Sequence, residues 1–465
     1  MSRPARIVIV GGGLSGLSLA FRLRERLPVA ELTVLEKGDK PGGNIVTIER
    51  DGFRVEGGPN GIFDAKPHTL QLCRDLGLAD RLIPASEGSR KHRYLFLDGR
   101  LRELPGSLWS FLTSPVLSWR GKANLLFEKY RKRPDNLSGD ETIAEFARRR
   151  AGNETADVLA DAMVTGIHAG DPELLSVAAA FPRLVQFERE HGSVIRGFSA
   201  ASRERRRAAR ARGEKPERPQ LWSFREGLGV LVDRLRERLG NLLYTGVHVR
   251  QIEKSAKAWT VRGEGRETWD ADAVVLTTPA HDQAGIVADL DSELANEMRA
   301  IPYNRIAVVA LGFRQAGLPQ RIPDGFGYIA PQQSRRDVLG VQWCSSIFPE
   351  RAPDGMVLWR GLCGGWHRGE MVDWPDDRLV AAVRAELQVA MGVTAAPSFV
   401  QVVRWPAAIP QYHVGHLDRV RRIEARVAAL PGLFLGGNAY HGVAMNDCTE
   451  QAEILAGRVA GYVGE

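Results

Sequence analysis

Cysteine is scarce in this chain, four among 465 residues, and Cys73, Cys344, Cys363 and Cys448 form no C-x-x-C pair. That excludes a disulfide scaffold and a cysteine-based zinc site, and it makes a reducing compartment the expectation. Long apolar runs are missing too: no stretch reaches about 18 residues, so no bilayer-spanning helix is expected. The run Ile7 to Val10 is too short for the apolar core of a signal peptide, which gives a cytoplasmic expectation. The histidines show no metal-ligand spacing, so no metal is expected. No Ser/His/Asp arrangement, internal repeat, helix-turn-helix or zinc-finger signature occurs. The arginine-rich run from Arg203 to Arg218 has no interleaved aromatics on which bases could stack. It reads as a solvated helix end or loop, with no nucleic-acid partner.

What is present suits a globular chain of two or three domains: 44% of residues are apolar and 26% charged, ample for a large core. Lys and Arg exceed Asp and Glu by 63 to 56, a net charge of +7. Such an excess fits an anionic partner: a carboxylate-bearing substrate, a phospholipid or a nucleic acid.

Ile7-Val8-Ile9-Val10 is a β-branched run that breaks at Gly11-Gly12-Gly13-Leu14-Ser15-Gly16 and continues with helical character. Gly11 permits a tight turn, Gly13 lets backbone approach a pyrophosphate, and Gly16 lets helix pack on strand. A second strand, Glu31 to Leu35, ends at Glu36, about 20 residues beyond the last glycine, where a carboxylate accepts from ribose hydroxyls. Strand, glycine turn, helix and acidic strand end together specify dinucleotide binding.

Two further glycine clusters follow, Pro41-Gly42-Gly43-Asn44 and Glu56-Gly57-Gly58-Pro59-Asn60-Gly61. With the fingerprint they resemble the flavin-containing amine oxidase superfamily, in which a Gly-Gly turn lies beside the flavin diphosphate and a second turn near the isoalloxazine. Asn44 stands where many members have arginine. The resemblance implies noncovalent FAD, because members with covalent flavin carry a cysteine near the last glycine turn and this chain has Asn438-Ala439-Tyr440 there. It also implies an α/β fold: a discontinuous Rossmann-like FAD-binding fold of the glutathione-reductase type with an inserted helical domain and an α+β substrate domain. The expected division is FAD-binding parts at 1–85, 221–290 and 401–465, a helical domain at 86–220 and a substrate domain at 291–400. Leu242 to Glu253 reads as paired short strands, Ala273 to Leu276 as a buried parallel strand, and the last helix as opening at Val443. The implied cofactor set is Gly11, Gly12, Gly13, Leu14, Ser15, Gly16, Glu36, Lys37, Gly43, Gly57, Gly58, Pro59, Asn60, Val249, Trp405, Val443, Ala444 and Met445.

Longer strings narrow the resemblance. Gly166-Ile167-His168-Ala169-Gly170-Asp171-Pro172, Trp405-Pro406-Ala407-Ala408-Ile409-Pro410-Gln411-Tyr412 and Gly442-Val443-Ala444-Met445-Asn446-Asp447-Cys448 are similar to the oxygen-dependent protoporphyrinogen and coproporphyrinogen oxidases. This implies a porphyrinogen substrate, loss of six hydrogens in three cycles, molecular oxygen as acceptor and a place in haem biosynthesis. The implied substrate set is Arg93, as a clamp for a propionate, with Asn60, Gly166, Phe326, Gly327, Ile329 and Leu362 around a flat macrocycle. Gln342 departs from the pattern, which has an aliphatic residue there, so either the strand shifts by one or the cavity wall carries an amide. No acid or base side chain is implied at the reacting carbon. An amine oxidase and a flavin-binding scaffold without turnover stay open as alternatives, as do a homodimer and a haem-pathway enzyme partner.

Leu108 to Trp119 is apolar, bracketed by Trp109 and Trp119, and followed by Arg120, Lys122, Lys129, Arg131, Lys132 and Arg133. Internal packing is the expectation, with peripheral contact to an anionic bilayer as the alternative.

Overall fold

The computed structural model describes residues 3–131, 139–211, 213, 219–256, 258–320 and 322–464. Lys132, Arg133 and the end of the arginine run at Arg218 lie outside the described residues.

The β-branched run becomes the central strand of a five-stranded parallel sheet, ordered Leu243–Tyr244, Glu31–Leu35, Arg6–Val10, Ala273–Leu276, Leu433–Leu435. Ile7 and Ile9 pack on one face with Leu17, Leu231 and Leu455; Val8 and Val10 pack on the other with Ala284 and Met298. Both faces are covered, which is why these strands read as continuous apolar runs. The strands come from widely separated stretches of chain, so the α/β fold is discontinuous.

Leu242 to Glu253 does not form one hairpin. Leu243–Tyr244 joins Glu31–Leu35 in parallel, whereas Val249–Lys254 pairs antiparallel with Trp259–Gly263. The break has a local cause: the Gly246 and Val247 amides donate to the Gly38 and Glu36 carbonyls, docking the segment beside the loop that follows Glu36. The last helix spans Met445–Gly464 and starts two residues later than expected, because the Asp447 carboxylate accepts from the Ala444 N–H just ahead of it.

A seven-stranded mixed sheet follows the order Phe399–Trp405, Arg305–Arg314, Met356–Gly365, Val338–Gln342, Gly327–Ile329, Tyr94–Leu97, Arg100–Glu103. Its last two strands come from the stretch that the sequence places in the helical insertion. One face packs on the helix Asp376–Met391 through Val309, Tyr328, Val341, Trp359 and Val383. Strand alternation therefore turns Ile329, Gln342, Arg360, Leu362 and Trp405 to the opposite face. The described residues between 108 and 211 are mostly helical, including Ile143–Ala151, Asp161–His168 and Val194–Ala211. Among the described residues no helix is long and apolar enough to cross a membrane.

Candidate active site

At the end of the parallel sheet Gly11 has φ +112°, and a Cβ at Gly16 would collide with the Gly11 carbonyl. The helix Leu14–Arg26 begins at Gly13 with no side-chain cap and no acidic residue in its first turn. Its first amides, at Leu14, Ser15 and Gly16, thus face no competing carboxylate, and Gly43 lies against Gly13 with no side chain between them. Glu36 accepts from the Gly12 N–H through Oε2 and from the Gly38 N–H through Oε1, both at 2.7 Å. No cation pairs with it among the described residues, so lone pairs stay available on both oxygens. Lys37 is turned away and pairs with Asp282 at 2.6 Å. Val249 is buried against Val8 and Leu35. An uncapped helix start beside a cation-free carboxylate fits a pyrophosphate and a ribose. Val443, Ala444 and Met445 lead into the last helix, where Asp447 also takes Lys66 at 2.7 Å.

The Gly57-Gly58-Pro59 turn is held from behind. The Gly57 carbonyl accepts from the Trp405 indole at 2.7 Å, and the Gly58 carbonyl from the Arg360 guanidinium at 2.9 Å. Arg360 also donates to the Glu56 carbonyl and, at 2.6 Å, to Gln342 Oε1. Three successive carbonyls are thereby pulled toward the second sheet. Beneath them Glu56 pairs with Arg351 at 3.1 Å, both being buried. Burial pushes the Arg360 guanidinium down and the Glu56 carboxyl up, the latter opposed by Arg351.

The sequence-predicted substrate residues gather on the same side. Asn60 is 8% exposed, and neither of its amide atoms has a partner among the described residues. A Cβ at Gly166, on the helix Asp161–His168, would lie 2.7 Å from Ile329 Cδ1. Gly327 pairs with Gln342 across the sheet, and Leu362 lies opposite Gly340. The strand does not shift at Gln342, since the irregularity falls between Val338 and Gly340; the amide stands on the site-facing side, anchored by Arg360. Arg93 stacks over the Phe326 ring at 4.8 Å, and its guanidinium has no hydrogen bond or ion pair among the described residues. Arg360 escaped the sequence reading; its one signal was a charge inside the apolar strand Met356–Gly365. Among the described residues no cluster of His, Cys, Asp and Glu could hold a metal.

Internal packing of the tryptophans is overturned. Trp109 is 76% and Trp119 71% exposed, and Val116 and Leu117 of that segment are buried apolar core, against Leu95 and Leu97.

Residues 14–460 match the sequence profile of the flavin containing amine oxidoreductases. The chain belongs to this family. Its members' chemistry makes it an FAD-dependent oxidase, and the glycine cradle described above fits that cofactor. The chain is 34% identical to the chloroplastic protoporphyrinogen oxidase of Nicotiana tabacum, over 98% of this chain and 85% of that one. It is 28% identical to the coproporphyrinogen III oxidase of Bacillus subtilis (strain 168), over 98% of each. A solved structure from Exiguobacterium sp. 255-15, assigned as a protoporphyrinogen oxidase, matches with a TM-score of 0.83 at 25% identity over 99% of both chains. Reduced UDP-galactopyranose mutase, with a TM-score of 0.75 at 15% identity over 99% of this chain and 96% of that one, shares the fold.

Proposed function

We propose that this flavoenzyme oxidises a porphyrinogen, protoporphyrinogen IX or coproporphyrinogen III, to the corresponding porphyrin in haem biosynthesis, with oxygen as acceptor and peroxide as by-product. The observation that carries this reading is Arg93, a guanidinium unpaired among the described residues and stacked on Phe326, at the edge of a site-facing sheet surface that also presents Ile329 and Leu362. A planar fork of donors suits a propionate, and the adjoining Ile329 and Leu362 suit a flat macrocycle. Bound FAD supplies the electron-accepting chemistry. The protein's own part is orientation: Leu14, Ser15 and Gly16 hold the pyrophosphate, Glu36 the ribose, and Gly57 to Asn60 the isoalloxazine edge. Asn60 and Gln342 face the cavity and do not titrate, so they position the substrate without exchanging protons with it. The protein also rests peripherally on an anionic membrane surface through its exposed tryptophans. Adding porphyrinogen anaerobically should bleach the flavin, and admitting air should restore its colour with release of peroxide. Bleaching by primary amines and not by porphyrinogens would replace this reading with an amine oxidase.

A further inference from the structure

The amide of Gln342 has a fixed orientation. A guanidinium carries donors only, so the atom facing Arg360 at 2.6 Å is the oxygen, and the nitrogen points away. Arg360 cannot follow a turning amide, because it is also engaged by the Glu56 and Gly58 carbonyls and is 3% exposed. Nε2 of Gln342 has no partner among the described residues, which leaves an NH2 donor on the site-facing side of the sheet. That donor lies close to Arg93 in the ladder: Gln342 pairs with Gly327, whose neighbour Phe326 carries the Arg93 guanidinium. A buried cation behind the amide oxygen strengthens the donor at the other end.

Resting on the porphyrinogen reading, we infer that Gln342, oriented by Arg360, is a specificity-determining donor for a substrate carboxylate. Arg93 takes one carboxylate, and Gln342 reads whether a second polar substituent sits further along the macrocycle. Facing a vinyl group, its NH2 stays unpaired, which is unfavourable in an apolar cavity; facing a propionate, it makes a charge-assisted hydrogen bond. The cavity therefore discriminates porphyrinogens by the number of carboxylates they carry. An aliphatic residue at this position would relax that discrimination, and the expected difference is about tenfold to a hundredfold.

The test compares wild type with Gln342→Leu and Gln342→Glu. Leucine removes the amide, and glutamate keeps its shape while turning both terminal atoms into acceptors. KM and kcat are measured for coproporphyrinogen III, with four carboxylates, and protoporphyrinogen IX, with two. Equilibrium binding of the corresponding porphyrins is followed by visible absorption, and bound flavin is quantified in every sample. In both variants the ratio of kcat/KM for the tetracarboxylate over the dicarboxylate should fall about tenfold or more, mainly through KM, and the binding ratio should fall with it. Equal ratios in all three proteins, or a change confined to flavin retention, would overturn the assignment while leaving the porphyrinogen reading intact. A wild type that neither oxidises nor binds either porphyrin would overturn both.

Discussion

Glu36 is gripped by two backbone N–H groups and, among the described residues, by no cation, so its free lone pairs are the natural acceptors for ribose hydroxyls. Loss of one charge-assisted hydrogen bond costs about 1.5–3 kcal/mol, and Glu36→Ala should weaken FAD by about that much in a flavin titration; unchanged affinity would take Glu36 off the ribose. Arg93→Ala should raise KM more than it lowers kcat, because a carboxylate remote from the reacting carbon is held alike in ground and transition states. Equal KM values in steady-state assays would remove the clamp. Burial pushes His168 and His416 down to about 4 from the ordinary 6.5, so both are neutral in the folded protein. The unfolded chain takes up their protons below about pH 6.5, so stability is full above that pH and falls as pH drops toward 4, by about 1.4 kcal/mol per pH unit for each histidine. Melting temperature measured from pH 7 to pH 5 should follow this slope, and His168→Phe should flatten it. Glu36 and Arg93 were legible because each sits in a local string of sequence. Arg360 was not: its Gly58 partner is 302 residues away, and no local pattern tells a strand arginine which backbone it will meet.

At the level of elements, the helical insertion is knotted by one buried carboxylate. Glu128 accepts from Arg150 Nε at 2.8 Å, Ser193 Oγ at 2.6 Å and the Val194 and Ile195 N–H groups at 3.0 and 3.2 Å. It thus joins the turn Phe127–Tyr130, the helix Ile143–Ala151 and the start of the helix Val194–Ala211. Burial opposes its charge, yet the hydrogen bonds from Ser193 and Arg150 prevail and hold its carboxyl below the usual range. Without Glu128 the buried Arg150 keeps only Glu188, at 3.2 Å, as an ion-pair partner, and the Ser193, Val194 and Ile195 donors lose their acceptor, so Glu128→Ala should destabilise the protein by about 3 kcal/mol. Denaturant unfolding checks this, and a loss under about 1 kcal/mol, the range of an exposed pair, would show that the cluster relaxes to solvent. Elements with strong local signals were legible: the buried run Ile7 to Val10 and Ala273 to Leu276 are both central strands. Tyr94–Leu97 was not placed in its sheet, because its partner Gly327–Ile329 lies over 200 residues on. Leu243–Tyr244 was misjudged because a two-residue strand takes its direction from the Glu36 loop it docks on, and its own sequence does not specify it.

On the scale of the whole molecule, the helical insertion displays a surface that the core does not use. Trp109, Trp119, Phe127 and Tyr130 are each more than 60% exposed, and large aromatics grouped on one exterior mark an interaction site more often than chance scatter does. Part of the neighbouring basic charge is committed inward: Lys122 donates to the Leu112 carbonyl and Arg131 to the Arg149 carbonyl. Arg120 and Lys129 stay exposed, and the nearby helix Val194–Ala211 adds Arg203, Arg205, Arg206 and Arg207, none ion-paired among the described residues. Interfacial aromatics beside unpaired cations suit a bilayer bearing anionic lipids, where the rings enter the headgroup layer and the arginines meet phosphates. The charge contribution is screened over about 8 Å at physiological ionic strength, whereas the apolar contribution is not. Co-sedimentation with anionic vesicles should therefore weaken, without vanishing, as salt rises, and neutral vesicles should capture less protein at every salt. Trp109→Ser with Trp119→Ser should remove the salt-resistant fraction and spare flavin content, since neither ring touches the cofactor site. If the double variant sediments like the wild type, or if neither vesicle binds, the patch is not a membrane surface, and its aromatics must be exposed for contact with another protein chain.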